Sequence, residues 1–206
     1  MLEVILFRLI QLVVMGIFIV FISDFRKKKN MTPLIGEKWT FLLKLSYLVP
    51  LVTYIFVLFI VDSITTLDLV ALIITAAGTS IIIKAKRDLS LHHTWVGYCI
   101  SSTNFTTNGI YAYIRHPIYT GIYIFIVGSL FTILPHLNIA SHITLSITAI
   151  LSITYIMSFL AFLANKETKK LLLKHGVKFE QYKNKVHPFL PIKNIKNLDE
   201  KEKSLG

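Results

Sequence analysis

The sequence contains little charge and almost no cysteine. Charged residues make up 16% of its 206 residues, and Cys99 is the one cysteine. A soluble domain is usually about a quarter charged. A lone cysteine cannot form an internal disulfide, and the sequence has no CxxC motif or Cys/His ligand pattern. The adjacent His92 and His93 would face different directions on a helix, so they would not bind one metal ion together. No metal is therefore expected.

Nucleotide-binding and hydrolase signatures are also missing. The sequence has no Walker loop, no GxGxxG motif and no arrangement of serine, histidine and aspartate typical of a catalytic triad. A Rossmann-type cofactor site and a triad hydrolase are therefore not expected.

Long apolar segments are what the sequence has in abundance, with 54% of its residues hydrophobic. Each is close to the ~17–25 residues that cross about 30 Å of hydrocarbon as a helix. Lipid leaves a spanning backbone few other choices, so we expect an all-α integral membrane protein with five transmembrane helices. No cleavage site follows the first segment, which we expect to be retained. The segments are Leu2 to Ser23, Trp39 to Val61, Leu67 to Ile83, Ile118 to Leu134 and Ile139 to Leu163.

The net charge of +11 is distributed unevenly among the connections. Lys and Arg fill the connections after the first, third and fifth segments, whereas "DSITT" and "PHLN" have none. This asymmetry predicts an outside N-terminus and a cytosolic C-terminus, and leaves the identity of the membrane open. A basic rim of this kind would face lipid headgroups, so no nucleic-acid partner is expected. Arg8, inside the first segment, is expected to reach outward or to pair with Glu3.

The connection lengths suggest how the helices pair and divide the chain. The two uncharged connections are short, so the second and third helices should pack as a hairpin, as should the fourth and fifth. Residues 1–83 would hold three helices, 84–192 a core with a cytosolic loop, and 193–206 a disordered tail. After the fifth segment, the leucines around Leu171 to Leu173 predict a short helix on the membrane surface, capped by Gly176.

The stretch "GIYAYIRHPIYTG" opens the fourth segment. Pro117 fits the first turn of a helix, where the free amides around it could bind an anionic group. A hairpin would bring Glu167 back to the same side as His116. Two interpretations remain open for each feature: the stretch is an interfacial anchor or a binding site, and Glu167 is a counter-charge for lysines or holds a cationic ligand.

Two blocks in the second half of the chain resemble the isoprenylcysteine carboxyl methyltransferase family and, more broadly, membrane methyltransferases that include phospholipid methyltransferases. The matching positions are Gly109-Ile110-Tyr111, Arg115-His116-Pro117-Ile118-Tyr119, Glu167, Leu171, Gly176, Tyr182 and Pro191. The resemblance covers roughly Lys84 to Ile192. It implies S-adenosylmethionine as the cofactor that donates a methyl group.

The resemblance also implies which residues bind that cofactor. It assigns them to a loop segment, to the start of the fourth helix and to the one acidic position: Thr103, Asn104, Phe105, Thr106, Gly109, Tyr111, His116, Pro117, Tyr119 and Glu167. Arg115 is expected to point to the cytosolic rim, to headgroups or to the substrate, and is the one candidate catalytic residue. No general base is assigned.

Three positions depart from the family pattern. Thr103 replaces a histidine, Thr168 replaces a second acidic residue, and Leu163 replaces an arginine that contacts the substrate carboxylate in prenylcysteine enzymes. The last change weakens the case for a carboxylate acceptor. We therefore expect a membrane methyltransferase whose lipophilic acceptor enters from the bilayer, with a prenylcysteine carboxylate as one candidate. The alternatives are a phospholipid or small-thiol methyltransferase of the same fold, and a membrane scaffold without catalysis.

Overall fold

The computed structural model describes residues 1–23, 31–89, 98–100, 105–136 and 143–192. Their helices, in chain order, are α1 (Leu2–Ile22), α2 (Glu37–Ser46), α3 (Leu48–Ile60), α4 (Thr66–Leu89), α5 (Pro117–His136), α6 (Ile143–His175) and α7 (Val177–Lys185). Two short strands, β1 (Met31–Pro33) and β2 (Tyr98–Ile100), pair antiparallel, and Gly109–Ala112 forms a 3-10 turn. His92, His93, Thr103, Asn104 and the expected disordered tail lie outside the described residues.

The expectation of five membrane-spanning helices is confirmed. α1, α4, α5, α6 and the α2–α3 pair are each long and apolar enough to cross a membrane. The second span is interrupted at Tyr47, which separates α2 from α3. The chain is therefore an all-α membrane protein whose strands and turn belong to the connections.

α1 shows directly why the bundle needs lipid around it. Phe7 and Met15 face the bundle and are buried, but Leu6, Val13 and Val20 on the other face are each more than half exposed. A helix with apolar side chains on all faces is suited to a membrane, because in water its outward-facing side chains would form a large exposed apolar surface.

α6 differs from the expected arrangement at its C-terminal part. The leucines at 171–173 do not form a separate surface helix, because α6 continues without a break to His175. Gly176, with φ of +53°, ends it, as expected from a glycine cap. The short helix of this region is α7, which comes after the glycine.

Helix packing contradicts the expected hairpins. Within the described residues, α4 packs along α5 far more extensively than any other pair of helices, whereas α3 barely touches α4 and α5 touches α6 only weakly. Helices joined by a short connection are adjacent in sequence, but side-chain size decides which pairs can approach closely. The close pair here is the third and fourth spans.

Glycines explain the α4–α5 contact. A Cβ placed on Gly78 would lie 2.7 Å from the backbone oxygen of Gly121, and one on Gly128 would lie 2.8 Å from the backbone nitrogen of Thr75. The two backbones therefore touch directly, as small residues allow in membrane helices.

Polar contacts hold the end of the bundle where α4 starts, which we call the Thr65 end. Thr65 and Asp68 cap α4 reciprocally: the amide and hydroxyl of Thr65 donate to Asp68 Oδ2, and the Asp68 amide donates to Thr65 Oγ1. His136, at the end of α5, lies 2.9 Å from the same carboxylate oxygen. This contact fixes α4 antiparallel to α5 at the Thr65 end.

Arg8 has a different partner from the one expected. Its Nη2 donates a 2.6 Å hydrogen bond to the carbonyl of Val61, the residue that ends α3. A cation is favourable at a helix C-terminus because of the unpaired carbonyls there. Arg8 thus ties α1 to α3 within the membrane-spanning bundle.

Candidate functional site

The candidate site lies at the opposite end of the bundle, which we call the Pro117 end. Glu167, on α6, accepts a 2.5 Å hydrogen bond from the Tyr119 hydroxyl through Oε1, and its Oε2 lies 3.1 Å from His116 Nδ1. His116 and Tyr119 are nearly parallel rings with centroids 5.6 Å apart. The three residues predicted from the two sequence blocks therefore form one cluster, although 48 residues separate Tyr119 from Glu167.

Thr168 fixes the other side of the imidazole. Its hydroxyl oxygen lies 3.2 Å from His116 Nε2 and accepts a 3.4 Å hydrogen bond from Arg115 Nη1. A carboxylate only accepts, so Nδ1 carries the hydrogen that faces Glu167. In the neutral ring, Nε2 then accepts the Thr168 hydroxyl hydrogen. The residue that departs from the family pattern thus orients the histidine.

Arg115, which was expected to point to the cytosolic rim, to headgroups or to the substrate, makes its described contacts with other segments of the protein. Its side chain is half-buried, and its Nε donates a 2.8 Å hydrogen bond to the carbonyl of Val186. Partial burial also lowers the pKa of its guanidinium from the usual value. These contacts connect the start of α5 to the end of α7, so the residue joins segments of the site.

The segment after α7 covers the start of α5. The amide of Arg115 donates to His187 O at 3.0 Å, and the amide of His116 donates to Pro188 O at 2.9 Å. The Thr120 hydroxyl donates to Phe189 O at 3.0 Å. Pro117 begins α5 as predicted, but the expectation of free amides at this helix start is wrong for His116.

Tyr111 forms the loop side of the cluster and is buried. Burial, and secondarily the negative charge of Glu167, raise the pKa of its phenol well above the usual value. Its carbonyl accepts a 2.7 Å hydrogen bond from the Tyr182 hydroxyl. Burial raises the pKa of Tyr182 to about 12. Both phenols therefore stay protonated near neutral pH.

Phe105 brings the predicted loop segment to α6 and α7. Its ring centroid lies 4.9 Å from that of His175, 5.2 Å from that of Phe179 and 5.7 Å from that of Tyr182. Thr106 follows it at an intermediate exposure. Phe105 therefore forms an aromatic wall with these side chains on the loop side of the site.

Asp88, which the sequence analysis missed, holds the turn at Gly109. Its Oδ2 accepts a 2.7 Å hydrogen bond from the Ile110 amide, and its Oδ1 pairs with Lys84 at 2.7 Å. Gly109 has φ of +61°, and a Cβ there would collide with the Asp88 carboxylate. An acidic residue in the last turn of a helix is unfavourable for the helix dipole, and that signal could have indicated a partner outside α4.

The carboxylate of Glu167 faces aromatic side chains and remains partly accessible. Both of its oxygens face His116 and Tyr119, and its side chain remains 25% exposed. Neighbouring Lys166 instead lies over the Phe162 ring, 5.4 Å from its centroid. A partly accessible carboxylate among aromatic rings can hold a cationic group.

Leu163 stands where the resembled family has an arginine. It is completely buried in the helical core, one turn before Glu167 on α6. This position therefore contributes an apolar side chain to the core and no guanidinium to the site.

Comparison with curated proteins gives no match. A protein-family model described as "Protein of unknown function (DUF1295)" matches residues 23–186, a range that contains α2 to α7 and every residue of the Glu167 cluster. The chain belongs to this family.

Proposed function

We propose that this protein is an integral membrane methyltransferase that uses S-adenosylmethionine and a lipophilic acceptor. The observation that carries the proposal is the Glu167 carboxylate, held by Tyr119 and His116 at one end of a membrane bundle. The charge distribution of the connections supports a cytosolic position for this end, which would face the compartment where the donor is made.

The residues of the Pro117 end fit the charges of this cofactor. Glu167 would hold a positively charged group, and the rings of Tyr111 and Phe105 would offer faces that attract a sulfonium. The protonated phenol of Tyr111 is a hydrogen-bond donor that can contact a negative group. These side chains are therefore suited to a molecule that carries both positive and negative charge.

When bound, the cofactor would supply a methyl group whose carbon bonds to a lone pair of the acceptor while the carbon–sulfur pair stays on sulfur. The protein contributes position and exclusion of water, since alignment of two reactants can supply much of the rate. An anionic acceptor, a thiolate or a carboxylate, needs no proton removal at the site, whereas a lipid amine would have to react in its neutral form after releasing a proton to water. Neutralisation of opposite charges is favourable in a low-dielectric site.

The acceptor class remains a choice among three. The replacement of the family arginine by the buried Leu163 favours a lipid amine or thiol over a prenylcysteine carboxylate. A radioactive methyl-transfer assay with these three acceptors distinguishes them.

Cofactor titration tests the proposal. Purified protein in lipid nanodiscs should bind S-adenosylmethionine in calorimetry, and Glu167→Gln should weaken binding about 10- to 150-fold, the value of a charge-assisted contact of ~1.5–3 kcal/mol. Glu180→Gln is the matched control, because Glu180 is exposed on α7 and should leave the affinity unchanged.

Three outcomes contradict the proposal. Wild-type protein that does not bind the cofactor would favour the scaffold interpretation. Equal affinities of wild type and Glu167→Gln would remove the carboxylate from the site. Binding without transfer to any of the three acceptors would contradict the proposed acceptor classes.

A further inference from the structure

The side chains of the Glu167 cluster are mostly covered in the structure. His116 and Tyr119 are each less than a tenth exposed, as is Tyr111 on the loop side, and the side chain of Glu167 is 25% exposed. A ligand that contacts these residues over more than an edge must therefore displace something that covers them. A short segment is suited to this purpose, because it can open without disturbing the rest of the fold.

The covering segment, residues 186–189, has the properties of such a lid. Val186 is buried and anchors it, since its amide donates to Tyr182 O and its carbonyl accepts from Arg115 Nε. The three following residues are only partly buried, and Leu190 after them is exposed. A segment that is fixed at one point and little buried beyond it can open locally while the bundle stays folded.

Main-chain carbonyls of this segment hold it against α5. The amides of Arg115 and His116 and the hydroxyl of Thr120 donate to the carbonyls of residues 187–189. The ring of Phe189 lies beside that of His116, with centroids 6.0 Å apart. The direction of these carbonyls depends on the turn that the segment makes, so whatever stabilises the turn also keeps the segment on α5.

His187 stabilises that turn through one ring nitrogen. Its Nδ1 accepts hydrogen bonds from the amide nitrogens of Phe189, at 3.4 Å, and of Leu190, at 3.2 Å. An imidazole nitrogen can accept only when it carries no hydrogen. The turn therefore requires the neutral ring with its hydrogen on Nε2, because a protonated ring carries hydrogen on both nitrogens and leaves the two amides without this acceptor.

We propose that residues 186–189 form a lid over the Glu167 cluster, and that the neutral imidazole of His187 holds this lid closed. Protonation of His187 releases the two amides, and the carbonyls that follow lose their direction toward α5. A histidine changes its charge between about pH 5 and 8, so the lid is closed above this range and opens as the pH falls through it. The lid regulates access to the proposed cofactor site, and that part of the proposal rests on the methyltransferase function.

Other titratable groups lie around the lid, and the experiment has to separate them from His187. They come from α5, α6 and α7, and they are Arg115, His116, Tyr123, Glu167, Tyr182, Lys183 and Lys185. Arginine, lysine and tyrosine side chains keep their protons between about pH 5 and 8. His116 and Glu167 are therefore the two groups whose titration must be distinguished from that of His187.

Hydrogen exchange of the Arg115 and His116 amides measures lid opening, because both donate to lid carbonyls. It is measured on the full-length protein in lipid nanodiscs, as protection relative to the intrinsic rate at each pH. From about pH 8 to about pH 5.5, protection of these amides should fall at least about 2- to 13-fold, the value of one neutral hydrogen bond. The Ile110 amide, which donates to Asp88, is the internal control and should keep its protection. Constant protection of all three amides would overturn the proposal.

Two substitutions separate the charge of His187 from its place in the turn. In His187→Asn, the side-chain oxygen can accept from the same amides, as asparagine does in turns, and it does not titrate. This variant should be protected like wild type at high pH and should stay protected at low pH, whereas His187→Ala should be poorly protected at both. A pH dependence that persists in His187→Asn would assign the effect to His116 or Glu167 and overturn the role of His187. Wild-type protection in His187→Ala would overturn it as well.

Radioactive S-adenosylmethionine tests what the lid covers. A cofactor under an open lid should bind and leave faster, so His187→Ala should raise the association and dissociation rates several-fold, and His187→Asn should leave both unchanged. Equal rates in the three proteins would overturn the position of the lid over the cofactor site. Exchange as expected in a protein that never binds the cofactor would refute the methyltransferase function and still support the lid.

Discussion

Replacement of Gly78 by alanine should separate the two helices that position the candidate site. The added Cβ would lie 2.7 Å from Gly121 O and 2.7 Å from Phe125 N, both backbone atoms of α5. Ordinary contact begins at 3.4 Å, so one helix must move by the difference, 3.4 − 2.7 = 0.7 Å. No flexible side chain can absorb this shift, because the neighbouring atoms belong to the helix backbone.

The expected cost follows from the size of that overlap. Inserting a methyl group into a packed contact costs ~1–3 kcal/mol, while alanine gains ~0.5–1 kcal/mol over glycine in a helix. Gly16→Ala on α1 measures the second effect alone, because a Cβ there meets nothing within 4 Å. The difference between the two variants should therefore be the steric cost, ~1–3 kcal/mol.

The assay is equilibrium unfolding in mixed detergent micelles, followed by circular dichroism. Gly16→Ala should be neutral or slightly stabilising, and Gly78→Ala should be destabilised relative to it. Hydrogen exchange at the Ile110 amide should also rise in Gly78→Ala, because Asp88 on the shifted α4 accepts its hydrogen bond. Equal unfolding free energies for the two variants would refute the direct backbone contact between α4 and α5.

Two further predictions concern the Thr65 end and the orientation. Arg8→Met keeps an apolar stem but loses the hydrogen bond to Val61 O, and it should lower the unfolding free energy by ~1.5–3 kcal/mol. Lys38→Met, at an exposed position, should leave the unfolding free energy unchanged. Equal stability of the two variants would refute the helix-capping role of Arg8. Ser63 and Gln181 are both exposed. In a Cys99→Ala background, an impermeant thiol reagent applied outside intact cells should modify Ser63→Cys and not Gln181→Cys. The reverse pattern would refute the predicted topology.

The Glu167 cluster shows how far sequence blocks can locate a site. The order of His116, Pro117 and Tyr119 was sufficient to predict a shared helix face, because residues three apart meet on a helix. The return of Glu167 to that side was predicted from a hairpin of the fourth and fifth helices, and the two crossings bring it there although α5 and α6 touch only weakly. The roles of Thr168 and Arg115 were not predictable, since they depend on a covering segment, residues 186–189, that packs from far along the chain.

Helix pairing shows the opposite limit. Short connections suggested the second and third spans as one hairpin and the fourth and fifth as another, but α4 packs on α5. The signal was present in Gly78, Gly121 and Gly128, whose small size allows the backbones to touch. A glycine in one helix indicates a close contact but does not identify the partner.

The sequence by itself determined the membrane class, the five spans and the residue types at the candidate site, because length, hydropathy and charge act locally along the chain. Only the tertiary structure decided which helices touch, which carbonyl Arg8 caps, and which segment covers the start of α5. These depend on side-chain volume and backbone proximity between residues far apart in sequence, and a single sequence does not specify such distances.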